Sequence, residues 1–126
     1  MAIQKSKDVQ INGITFRVGL LSALVGDWLI TQLLTKRFTD AEVYRKSQDH
    51  LLGVCSVYVE KEEARVPMRI YDNGRWLVAA QYPDLEYDVD TVHQLCQEAL
   101  DFNIGPFFEK LKARASALEQ TSATLQ

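Results

Sequence analysis

Apolar residues recur every three or four positions along Leu20–Phe38, LLSALVGDWLITQLLTKRF. Leu20, Leu21, Leu24, Val25, Trp28, Leu29, Leu33 and Leu34 share one helical stripe, the pattern of a helix that must bury a face. No other stretch is as apolar or as regular, so the pattern predicts that the remaining elements pack around this helix. Gly26 costs about 1 kcal/mol relative to alanine inside a helix, or else permits another element to come close. Lys36 and Arg37 bring positive charge to the end that favours it.

Upstream the period changes to two. Asp8–Ile11 and Ile14–Val18 alternate apolar and polar residues around Asn12-Gly13, a pair suited to the two positive-φ positions of a type I′ hairpin turn. Val9, Ile11, Ile14, Phe16 and Val18 then need cover, which the following helix is expected to supply. Residues 1–7 read as a loose polar start.

Downstream, Thr39 with Glu42 has the spacing of a capping box, and a second helix is expected from Thr39 to about Val59. Val43, Ser47, His50, Leu51, Val54, Cys55 and Tyr58 share its face, although Val54–Val59 is rich enough in β-formers to end as a strand. Glu60–Arg65 reads as a charged connection. Val66–Tyr71 and Arg75–Ala79 flank Asp72-Asn73-Gly74 as a second hairpin, with Pro67 confining its first strand to an edge. Ala80–Asp88 is expected as a loop. Asp88 or Asp90 caps a third helix to about Asp101, with Val92, Leu95, Cys96 and Ala99 inward. Asn103–Pro106 is expected to break that helix, and Pro106 to open another. The resulting expectation is an α+β, mainly helical fold. An N-terminal β-hairpin packs on a small bundle of about three to four helices, with a second hairpin near 66–79. One globular domain is expected over 1–112 and a weakly ordered tail over 113–126.

Charge and composition narrow the partners. The chain has 126 residues, 47% of them apolar, and its 17 acidic and 14 basic residues give a net charge of −3. That suffices for one domain with a real core. No basic stripe invites a nucleic-acid backbone. No apolar run is long enough to span a bilayer, and the polar N-terminus does not resemble a signal peptide. Cys55 and Cys96 lie among apolar neighbours and are read as core thiols. Neither has ligand spacing with His50 or His93, and no metal or cofactor is expected. Asp84, Glu86, Asp88 and Asp90 lack the glycine and spaced glutamate of a calcium loop and are read as a solvated loop with a helix cap. No phosphate-cradling glycine pattern or nucleophile elbow is present, so the expectation is a protein that is not an enzyme. Among the aromatic residues, Trp28 lies on the core stripe, whereas Trp76, beside a turn, is the better candidate for an exposed contact.

The order of elements carries a resemblance. A hairpin at Val9–Val18 precedes a long apolar helix. Leu51–Lys61 then ends in Ser-Val-Tyr-Val-Glu-Lys, and a late helix ends Ala99-Leu100-Asp101-Phe102-Asn103-Ile104-Gly105-Pro106-Phe107-Phe108. Over Val9–Leu111 the chain resembles the tail assembly chaperones of long-tailed bacteriophages and prophages. These carry an LxxLxG-like apolar helix after a hairpin and a late helix ending near Asn and paired aromatics. The resemblance implies a non-enzymatic protein of the host cytoplasm, absent from the mature virion. It would bind the helical tape measure protein, keep it soluble and recruit tail tube protein subunits. Many such proteins also exist in a longer, frameshifted form. The resemblance assigns no contact residues. Trp28, Leu29, Leu33, Phe107, Phe108 and Leu111 are chosen as apolar helix positions able to meet a partner helix, a common recognition mode. Against this stand three other readings. One is a structural tail or head–tail joining component forming a ring. Another is a small ligand- or protein-binding module using the Trp76 hairpin or the acidic loop. The last is an enzyme using His93 with Asp90.

Overall fold

Asn12 and Gly13 take φ of 50° and 82° and turn β1 (Ser6–Ile11) back onto β2 (Ile14–Gly19). The computed structural model describes residues 5–125, with side chains from 5 to 116. The element order continues α1 (Ala23–Leu34), α2 (Ala41–Leu52), β3 (Cys55–Lys61), β4 (Ala64–Arg69), β5 (Tyr71–Asp72), β6 (Arg75–Trp76) and α3 (Val89–Leu125). Short 3-10 turns sit at Arg37–Thr39 and Leu85–Tyr87. The fold is α+β, as its patterning predicts, with the N-terminal hairpin ahead of the helices. β1 to β4 form one antiparallel sheet in chain order, and β5 and β6 form a separate ribbon. The polar start expected over 1–7 lies partly outside the described residues, and β1 takes up its end at Ser6.

One face of the sheet is the core. Phe16, Val18, Cys55 and Val57 are fully buried, and they alternate along β2 and β3 with the outward Arg17, Ser56 and Tyr58. Cover for the hairpin comes chiefly from α3, which lies against β1 and β2, rather than from α1 as the order of elements suggests. At Gly19 the chain passes so close to Val54 that an added Cβ would lie 3.1 Å from the Val54 carbonyl. Gly19 N–H donates to that carbonyl at 2.8 Å.

Several boundaries differ from the sequence reading, each for a physical reason. The first helix is 12 residues rather than the whole of Leu20–Phe38. Ser22 caps it through Val25 N–H, and Lys36 leaves helical space at φ 58°. The second helix stops at Leu52, because the β-branched run after it pairs with β2. Its N-cap is Asp40, accepting from Glu42 N–H and Val43 N–H, rather than Thr39. The charged connection is a tight hairpin turn, with Glu62 and Glu63 held at φ 52° and 67°. Val66–Arg69 therefore pairs with β3, and only Tyr71–Asp72 pairs with Arg75–Trp76 around Asn73-Gly74. Pro67 does lie on an edge strand, since β4 is the last in the sheet.

The late helix does not break at Asn103–Pro106. Pro106 sits inside a 37-residue helix, where its missing N–H leaves the Phe102 carbonyl without its usual donor. Leu95, Cys96, Ala99 and Ile104 are buried along it. The stretch read as a tail from residue 113 continues this helix to Leu125, and residue 126 lies outside the described residues.

Candidate functional site

The apolar surface left uncovered by this packing lies on the helical layer. α1 buries little of its apolar surface. Of its expected stripe only Leu29 is fully buried, while Leu24 is 83% exposed and Leu34 60%. The helix read as the organising centre is instead a cover over the body formed by the sheet and α3. The leucine run obscured this because it is apolar on more than one face, so it has more apolar residues than the body can bury.

Between α1 and α3 lies an open groove of about 910 Å³. Its walls include Leu21, Gly26 and Ile30 on one side and Phe102, Ile104 and Phe107 on the other. A Cβ built on Gly26 meets nothing within 4 Å, so the glycine widens the groove. Asn103 fixes the head of the groove: its Oδ1 accepts from Leu21 N–H at 2.7 Å, and its Nδ2 donates to the Gly19 carbonyl at 3.1 Å and the Ala99 carbonyl at 2.9 Å. One half-buried amide thus holds the β2–α1 junction against α3. A smaller apolar pocket of about 240 Å³ lies further along, lined by Leu33, Phe38, Tyr44, Leu51, Cys96 and Leu100.

The six expected contact residues do not form one surface. Leu29 is core. Trp28 is half-buried and meets the His50 ring edge-on at a centroid distance of 5.7 Å. Leu33 borders the smaller pocket, and Phe107 lines the groove. Phe108 is half-buried and packs edge-on to Phe107 at 5.4 Å. Phe107 and Leu111 are each 39% exposed. Leu20, Leu21, Gly26, Ile30 and Phe102, which also line the groove, were missed as a set. Only tertiary packing brings residues 20–30 beside 101–110, although the shared apolar character of both segments was a usable signal.

The other candidates have local tasks. Asp88 caps α3, accepting from Thr91 N–H at 3.1 Å and from its hydroxyl at 2.7 Å, and these hydrogen bonds hold its carboxyl below the usual range. Asp90 accepts from Asn12 Nδ2 at 3.0 Å and from Gln94 at 2.8 Å. His93 is exposed on the rim of the smaller pocket. Trp76, expected as an exposed contact, is half-buried with its ring edge-on to Tyr71 at 5.3 Å. Tyr71 is buried and its hydroxyl donates to Asp49, so burial and this bond push its titration up. Both cysteines are free and buried. Burial, with the neighbouring Cys96, pushes the Cys55 thiol far up, and burial takes Cys96 to about 12. Among the described residues no cluster of three metal-ligating side chains occurs, and no helix is long and apolar enough to cross a membrane.

Chemically, the groove offers mainly apolar walls and one fixed amide, with Lys7, Asp27, Asp101 and Lys110 also lining it. Such a surface suits the side-chain row of an amphipathic helix. Comparison of the chain with protein families, with curated proteins and with solved structures found no match in any of the three.

Proposed function

We propose that this protein is a tail assembly chaperone of a long-tailed bacteriophage or prophage. In this reading it binds the helical tape measure protein, keeps it soluble and helps recruit tail tube protein, without catalysis. It acts in the host cytoplasm and leaves before the particle is complete. The observation that carries the reading is the open α1–α3 groove, together with exposed leucines on both helices that form it. A long amphipathic partner aggregates through its apolar stripe unless another apolar surface covers it, and a protein that does this needs spare apolar surface rather than reactive groups.

The test is co-expression with a tape measure protein, followed by size-exclusion chromatography with light scattering. A co-eluting complex, with the partner insoluble alone, is expected. Gly26→Trp should abolish co-elution while leaving the fold intact, because its side chain enters open groove rather than core. A ring formed by this chain alone, with the partner still insoluble, would move the protein to the structural tail components.

A further inference from the structure

The outer face of the sheet carries charge of the opposite sign to the whole chain. Lys5, Arg17, Arg65 and Arg69 are exposed there against Asp8 and Glu60, on a protein whose net charge is −3. The strand register sets three of the residues in one row. Arg17 pairs with Ser56, and Ser56 pairs with Arg69. Neighbouring strands lie about 4.8 Å apart, so the two arginines flank a serine hydroxyl with about 10 Å between their backbones. Around this row is a shallow depression of about 260 Å³, with Lys5 and Ser6 on its rim and Gly19, Val54 and Pro67 in its walls.

The carboxylates beside this row make few direct contacts with its cations. Asp8 stands opposite Arg17 in the register, yet it accepts from the Tyr58 hydroxyl at 2.6 Å. Arg17 Nε instead donates to Ser6 Oγ at 3.1 Å, which orients the guanidinium and leaves its terminal nitrogens for another acceptor. Among the described residues no carboxylate lies within 4 Å of Arg17 or Lys5, and Arg69 reaches only Asp72, at 3.4 Å. Three cations and a hydroxyl therefore meet two exposed carboxylates, Asp8 and Asp72, and only Asp72 is in direct contact with one of the cations.

We propose that this row is an oxyanion cradle for a phosphate-type dianion, held between the Arg17 and Arg69 guanidiniums over Ser56. Planar guanidiniums match the paired oxygens of such a group, and two guanidiniums facing one anion suit a dianion better than a singly charged carboxylate. The cradle is on the face of the sheet away from α3, with Arg69 also reaching the α2 C-cap at Gly53, and it shares no residue with the groove.

The test is an NMR titration of the full chain with inorganic phosphate at pH 7.5, with ionic strength held constant by sodium chloride. Saturable shifts of the Arg17 side-chain N–H and the Ser56 amide at millimolar phosphate are expected, with sulfate similar and acetate at least tenfold weaker. Arg17→Gln and Arg69→Gln should each weaken binding about tenfold. Lys5→Gln, at the rim, gives a second reading if an arginine variant does not fold. O-phosphoserine binding as well as phosphate would identify a phosphate group presented on a larger molecule, and its exclusion a free ion. Shifts that stay linear, or acetate binding as tightly as phosphate, would overturn the proposal.

Discussion

The two sides of the molecule are built to different standards. On the sheet, Phe16, Val18, Cys55 and Val57 lose all contact with water. On α1, a stretch with more leucines, one residue is fully buried and Leu24 stands almost free. Apolar content therefore does not locate a core; what locates it is an alternation that a second element can cover on one side. The surplus on α1 is surface the body cannot use, which is why the functional reading rests there.

The largest break in this contrast should come from paired truncations. Phe16→Ala is expected to cost about 3–5 kcal/mol, the range for a buried aromatic, whereas Leu24→Ala should stay within about 0.5 kcal/mol. Urea denaturation of both variants compares them directly. Equal losses would mean that α1 is as much a part of the core as the sheet.

Alkali probes the same interior by another route. Both thiols are protonated below their ordinary value of 9.0, folded or unfolded. Above it the unfolded chain sheds protons that the native chain keeps, so stability falls as pH rises from 9 toward the raised native values. The limiting slope is about 1.4 kcal/mol per pH unit for each thiol. Thermal unfolding at pH 8 and pH 10, with Cys55→Ala and Cys96→Ala as controls, measures it. A flat response would place the thiols in water.

A smaller effect is expected where the two sides are joined. Asn103→Ala strands the Leu21 N–H and the Gly19 carbonyl together, at about 1–3 kcal/mol. Hydrogen exchange should show new opening at residues 19–22 and little change in β3. The least effect belongs to the β3–β4 turn, where two glutamates occupy left-handed backbone. Replacing Glu62 and Glu63 by Asn and Gly should stabilise the protein by about 1 kcal/mol, read as a higher urea midpoint.

That turn also explains what the sequence concealed. Asn12-Gly13 and Asn73-Gly74 announce their hairpins because their residue types match the backbone they adopt. Glu62-Glu63 does not, so Glu60–Arg65 reads as a charged connection, Val54–Val59 stays open between helix and strand, and Val66–Tyr71 is assigned to the next hairpin instead of to β3. Asp88 was legible as a cap because the signal lies within four residues of the helix it starts. Pro106 misled in the opposite sense: it marks a first turn in isolation, yet packing at Ile104 carries the helix through it. The apolar character of both walls of the groove is legible in the sequence, but not their meeting, since some seventy residues of chain separate them and only α3 lying across the sheet brings them together.

The hydrogen bonds from the first hairpin to the last helix have a consequence for how the chain is made. Asn12 reaches Asp90 and Thr91, and Asn103 reaches Gly19 and Leu21, across 78 to 84 residues. Closing a loop of that size is slow compared with local pairing. While the protein emerges from a ribosome, β1 and β2 can form their hairpin early, but the residues that cover its inner face arrive only with α3. α3 must be synthesised before the cover over Phe16 and Val18 is complete. Until then the inner face of the hairpin keeps its apolar side chains in water.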